Sequence, residues 1–141
     1  MEDTNIVRRM ADLVERRDAE GMAALYTLDA TVHHPLYPDP ARGQDAIRTS
    51  QRELFNTITD VEVEIRSILT ADTTCAAEVT IRATHIGELD VGGRAFPATG
   101  RRIEVDEVWA FDLDSEGRIV EERDYLDTAR LLAQLAGELQ R

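Results

Sequence analysis

Residues 103–125, IEVDEVWAFDLDSEGRIVEERDY, decide the fold. Ile103, Val105, Glu107, Trp109, Phe111 and Leu113 fall at every second position. Successive side chains of an extended chain point to opposite faces, so these six share one face of a strand. Asp114-Ser-Glu-Gly117 supplies turn formers, and the segment from Arg118 to Tyr125 returns as a second, antiparallel strand.

The same period runs upstream. Val61, Val63 and Ile65 alternate with Glu62, Glu64 and Arg66, and Val79, Ile81, Ala83 and His85 alternate with Glu78, Thr80, Arg82 and Thr84. Half-buried antiparallel strands read this way. Residues 87–100 form a long hairpin connection between two of them. Nearer the N-terminus the period becomes helical: Ile6, Met10, Leu13 and Val14 predict an amphipathic helix over residues 3–17, interrupted at Asp18. Met22, Leu25 and Tyr26 suggest a second short helix, residues 29–35 a short strand stopped by Pro35, and Pro35, Pro38, Pro40 and Gly43 a loop. Ile47, Leu54 and Phe55 mark a helix over residues 45–58. Asp127 is placed as the N-cap of a last helix with Leu131, Leu132 and Leu135 on one face and Gly137 near its end. Segregated helices and strands give an α+β class: a curved antiparallel sheet wrapped around N-terminal helices and closed by a C-terminal helix, a cone-shaped barrel with one concave pocket.

At 141 residues the chain is sized for one domain, residues 1–141, with one core. The formal charge of −12 comes from 16 cations, all Arg, against 28 acids. Such a chain repels phosphate backbones and anionic lipid, so nucleic-acid and membrane partners are not expected. The acidic start Met1-Glu2-Asp3 and the lack of a long apolar run predict a cytoplasmic protein. The single cysteine, Cys75, excludes an intramolecular disulfide and sits in a strand-like run as a small buried residue. His33 and His34 are adjacent and point to opposite strand faces, no His pair has i, i+4 spacing, and no metal is expected. Dinucleotide, P-loop and serine-hydrolase motifs do not occur. Without lysine, no lysine Schiff base can form, and carbonyl chemistry must proceed through a general base and an enol or enolate.

On the face of Val105 and Phe111, a carboxylate, Glu107, stands beside an indole, Trp109. Turned into an apolar cone, that arrangement raises a carboxyl pKa and makes Glu107 an acid/base candidate, with Arg101 and Arg102 as nearby partners if it reaches the rim.

Four segments, in order, carry a resemblance: Thr84-His-Ile-Gly-Glu88, Pro97-Ala-Thr-Gly-Arg101, Gly117-Arg-Ile-Val-Glu121, and the run from Asp127 to Gly137. Together with the order of elements they resemble the SnoaL-like polyketide cyclases, a branch of the nuclear transport factor 2 cone fold. The resemblance implies a homodimer that needs no metal or cofactor and closes rings of hydrophobic polyketide-like substrates by intramolecular aldol chemistry. It also implies that Asp124, in the last strand, is the acid/base. Here Glu122 and Arg123 stand where the family has His and Trp, and Trp109 where it has a polar partner. In ketosteroid isomerases, relatives of the cone fold, the segment resembling residues 30–35 carries the catalytic acid just before proline; here that position is His34, a further proton-transfer candidate. His85 reads either as a hydrogen-bonded structural group or as a ligand contact. Tyr26, Phe55, Phe96 and Trp109 are expected to supply walls or a lid. Another cone-fold activity, such as isomerisation or epoxide hydrolysis, or a non-catalytic binding protein of the same fold, is the alternative.

Overall fold

The computed structural model describes residues 2–138, with side chains from Ile6 onward. Its elements run α1 (Glu2–Glu15), α2 (Ala19–Ala23), β1 (Tyr26–His33), β2 (Ala41–Arg42), α3 (Gln44–Phe55), β3 (Ile58–Ala71), β4 (Thr74–His85), β5 (Leu89–Val91), β6 (Arg94–Phe96), β7 (Arg102–Leu113), β8 (Ile119–Leu126) and α4 (Thr128–Leu135). Six strands form one sheet in the order β2-β1-β8-β7-β4-β3, and β5 pairs with β6 separately. All pairs are antiparallel except β1 with β8, which is parallel.

The helices form where an apolar stripe can be buried and end where a polar group takes over their free amides. Ile6, Val7, Met10, Ala11 and Val14 of α1 are buried against the sheet. Asp18 then caps α2, accepting the Gly21 N–H at 2.9 Å. In α4 the Asp127 carboxylate accepts the Arg130 N–H at 3.0 Å, and Gly137, at φ 77, closes the other end. The sequence reading carried the second helix as far as Tyr26. Instead α2 stops at Ala23 and Tyr26 opens β1, because the Leu25 N–H turns back to the Met22 carbonyl at 3.0 Å and the chain then pairs with β8. Likewise α3 ends at Phe55 and Ile58 already belongs to β3, while the connection over residues 87–100 contains the β5–β6 hairpin.

Irregular registers bend the sheet. The β3–β4 ladder shifts between Thr59 and Glu62 and again between Ile65 and Ser67, with Asp60 at φ 50, and β7–β8 shifts at Asp112. Each extra residue bends its strand and increases local twist, so the sheet curls over α1 and α3. Gly87 permits a close crossing at the rim: a Cβ there would lie 2.5 Å from the Asn56 carbonyl oxygen. On the concave side the alternating residues of β4 and β7 meet the helices. Cys75, Ala77, Val79, Ala83, Ile103, Val105, Trp109 and Phe111 are all buried there.

Candidate active site

A cavity opens between the concave sheet face, α1, α3 and α4. Its walls are mostly apolar, with Met10, Leu54, Phe55, Ile81, Ile103 and Trp109 among them. Into this surface three acids project, Glu107 from β7 and Glu122 and Asp124 from β8, together with His34 from the end of β1. Strand alternation brings the acids together. Trp109 lies opposite Asp124 and Phe111 opposite Glu122 in the β7–β8 ladder, so Glu107, Glu122 and Asp124 all share the inner face.

Among the described residues none of the three acids has a cationic partner. The Trp109 Nε1–H donates to Glu107 Oε1 at 3.1 Å, and the Tyr26 hydroxyl donates to Glu122 Oε1. Glu122 and Asp124 hydrogen-bond to each other, and Asp124 Oδ1 meets no N–H or O–H donor. Burial pushes Glu107 up to about 7; the Trp109 N–H opposes this and the charge of Glu122 adds to it. Burial, then the charge and hydrogen bond of Glu122, then the charge of Glu107, hold Asp124 well above the ordinary range. Glu122 is raised by burial, while its bonds from Asp124 and Tyr26 pull the other way. Acids in such surroundings keep a proton to higher pH than an ordinary carboxyl does.

His34 is fixed by its own turn. The Leu36 N–H donates to His34 Nδ1 at 3.1 Å, and the Tyr37 N–H donates to the His34 carbonyl at 3.0 Å. Burial lowers the ring's pKa to about 4. With Nδ1 accepting, the single proton of the neutral ring sits on Nε2, so His34 offers a hydrogen-bond donor rather than the proton-abstracting base expected from the sequence. Tyr37 stacks on it, ring centroids 4.9 Å apart. The Tyr37 hydroxyl is shielded and unpartnered; burial raises its pKa, as do the charges of Glu122, Asp124, Glu107 and Glu53.

Of the eight residues singled out from the sequence, Asp124, Glu107, His34, Trp109 and Phe55 line this one cavity. Three do not. Tyr26 is fully buried behind Glu122, whose carboxyl takes its hydroxyl. Phe96 sits in the β5–β6 hairpin beneath the Arg94 guanidinium, which lies 4.7 Å from the ring centroid. His85 is fully buried and ties down the loop before β7: its Nδ1 accepts from the Thr99 N–H at 3.2 Å and bonds the Thr99 hydroxyl at 2.8 Å. His33 points outward, with Nε2 3.0 Å from Glu121. Arg123 pairs with Asp112 at 3.0 Å, Arg118 with Glu116 at 2.6 Å, and Arg102 with Glu62, so none of them neutralises Glu107 or Asp124. Glu122 and Tyr37 were missed. Alternation from Asp124 would have found Glu122; Tyr37 lies in a proline-rich loop, where no periodicity reports burial.

Among the described residues no group of His, Cys, Asp and Glu has an arrangement that could hold a metal ion, and no helix is long and apolar enough to cross a membrane.

The pattern of the family described as SnoaL-like polyketide cyclase matches residues 4–135. No curated protein matches the chain. Among solved structures, the candidate hydroxylase AclR from Streptomyces galilaeus is 22% identical, with a TM-score of 0.78 over 99% of this chain and 98% of that one. SalBIII, an epoxide hydrolase/cyclase-like enzyme of pyran ring formation in the polyether salinomycin, is 18% identical, with a TM-score of 0.73 over 92% and 97%. A Catenulispora acidiphila protein with a ketosteroid isomerase-like fold, solved with trimethylamine, is 18% identical, with a TM-score of 0.77 over 93% and 92%. At these identities the likeness is one of fold.

Proposed function

The chain belongs to the SnoaL-like polyketide cyclase family, and on that premise we propose that it is a cofactor-independent acid/base enzyme closing a ring in a hydrophobic polyketide-like ketone by intramolecular aldol addition. One observation carries this reading: Asp124, Glu107 and His34 converge on a single apolar cavity with no arginine among the described residues of its walls. Asp124 takes the proton α to a carbonyl, and the C–H electron pair moves onto the carbonyl oxygen as an enolate. The His34 Nε2–H donates to that oxygen. Glu107, titrating near 7, protonates the acceptor carbonyl as the new C–C bond forms, since an acid is most effective when its pKa lies near the working pH. Trp109 and Phe55 pack the substrate's apolar body.

The test is deuterium uptake at the α-carbon of an aromatic β-keto ester in D2O. The wild-type protein accelerates uptake, and Asp124→Asn lowers the rate by about 10²- to 10⁴-fold. A β-keto ester that binds yet exchanges no faster than in buffer overturns the enzyme reading and leaves a binding protein. We also infer a homodimer joined through the mixed-charge outer sheet face, working in the cytoplasm; light scattering of the purified chain measures the first.

A further inference from the structure

A phenol and two carboxyls form one buried chain across β1 and β8. The Tyr26 hydroxyl donates to Glu122, and Glu122 hydrogen-bonds to Asp124, two positions along the same strand face. Asp124 Oδ1 is shielded from solvent and meets no ordinary donor. Two carboxyl oxygens bond only when a proton lies between them; without it, two negative charges would face each other in a low-dielectric wall. The other titratable groups facing the pair are Tyr37 from the loop after β1, Glu107 on β7 and His34 at the cavity wall, and no arginine is among them.

A difficulty in the proposed reaction points the same way. Burial and the neighbouring acids favour the protonated form of Asp124, and in that form it cannot take a second proton unless it passes on its own. We propose that Glu122 is the site's proton reservoir: it shares one proton with Asp124, is held in place by the Tyr26 hydroxyl, and receives Asp124's proton as Asp124 accepts the substrate's. This rests on the reading of Asp124 as the group that meets the substrate. As the substrate C–H bond breaks, its proton goes to the Asp124 carboxyl, the proton between the acids goes to Glu122, and the negative charge leaves Glu122 for the enolate oxygen. Once Glu107 has given its proton to the acceptor carbonyl, the pair gives up one proton and Glu107 regains one through solvent, which restores the starting state. Glu122 acts through Asp124 and is a positioning residue; it occupies the place where the resembled family has histidine.

The experiment has two readouts. Carbon-13 NMR of Asp- and Glu-labelled protein, with no substrate, follows the carboxyls against pH. The pair should release its protons in two separated steps, and Glu122→Gln should collapse them to a single step for Asp124 at lower pH. In the β-keto ester exchange assay, Glu122→Gln should move the acidic limb of the rate profile down by about one pH unit and lower the plateau about tenfold, with KM within about twofold. Tyr26→Phe removes a donor from the Glu122 carboxylate and should move the limb up by about one unit. Opposite displacements are not produced by loosened packing. Independent titration of the two acids at ordinary values, or variants with unmoved profiles, overturns the proposal. A wild-type protein that exchanges nothing overturns the role of Asp124 toward substrate, while the NMR titration still decides the shared proton.

Discussion

On the outer face of β8, Glu121 lies 3.0 Å from His33 and 3.7 Å from Arg123, and Arg123 reaches Asp112 at 3.0 Å. One residue along, on the inner face, Glu122 has only a phenol and another acid. The two glutamates have the same chemistry and adjacent numbers, yet one meets a histidine and an arginine in half-exposed surroundings while burial raises the pKa of the other. The pleat of the strand assigns these roles. All the arginine ion pairs of the described residues lie outside the cavity, whose wall contains no arginine. The formal charge of −12 counts Glu107, Glu122 and Asp124 with the other acids; the arginines that offset the rest pair outside the cavity.

The contrast between faces breaks most visibly in stability against pH. Glu107 is raised from 4.5 to about 7 in the folded protein. The folded state therefore holds the extra proton between these values, and stability falls as pH rises through that window, by on the order of 3 kcal/mol. Glu107→Gln should remove the Glu107 share of this fall and leave that of Asp124 and Glu122, so that the variant gains on the wild type between pH 5 and 8; an unchanged difference between the two melting curves across that range would show that Glu107 ionises freely. Trp109→Phe sharpens the same point more gently. It deletes the one N–H that favours ionised Glu107, and the carboxyl midpoint read by NMR should rise by about one unit. On the outer face Arg123→Ala should change stability by less than about 1 kcal/mol and leave the exchange rate as it was, because half-exposed ion pairs contribute little. A large loss of activity in that variant would mean that the two faces are not separate.

How much of this was legible in the sequence depended on the kind of signal. Period-two patterning gave the phase of β4 and β7, so Glu107 and Trp109 were placed on the concave face with Val105 and Phe111. The cap at Asp127 was equally local. Tyr26 was misplaced because Met22, Leu25 and Tyr26 have helical spacing, while the partner that draws Tyr26 into a strand lies in β8, beyond any local window. Glu122 was read as a departure from a motif instead of as the residue two before Asp124 on one strand face. Phe96 was expected at the cavity for its aromaticity, but it belongs to the β5–β6 hairpin; His85, open between a structural and a ligand-contacting role, takes the structural one through Thr99, and both outcomes depend on tertiary packing.

The parallel pairing of β1 with β8 also has a consequence in time. Tyr26 and Glu122 are 96 positions apart, and β8 lies in the sheet between β1 and β7. Contacts so distant along the chain close late, since the entropy of forming the loop is lost before they repay it. The β3–β4 and β7–β8 hairpins can zip locally, but the acids are shut away from water only when the first strand docks beside the last. A nascent chain thus keeps these carboxylates hydrated and charged through most of its folding and meets the cost of neutralising them in a single late step.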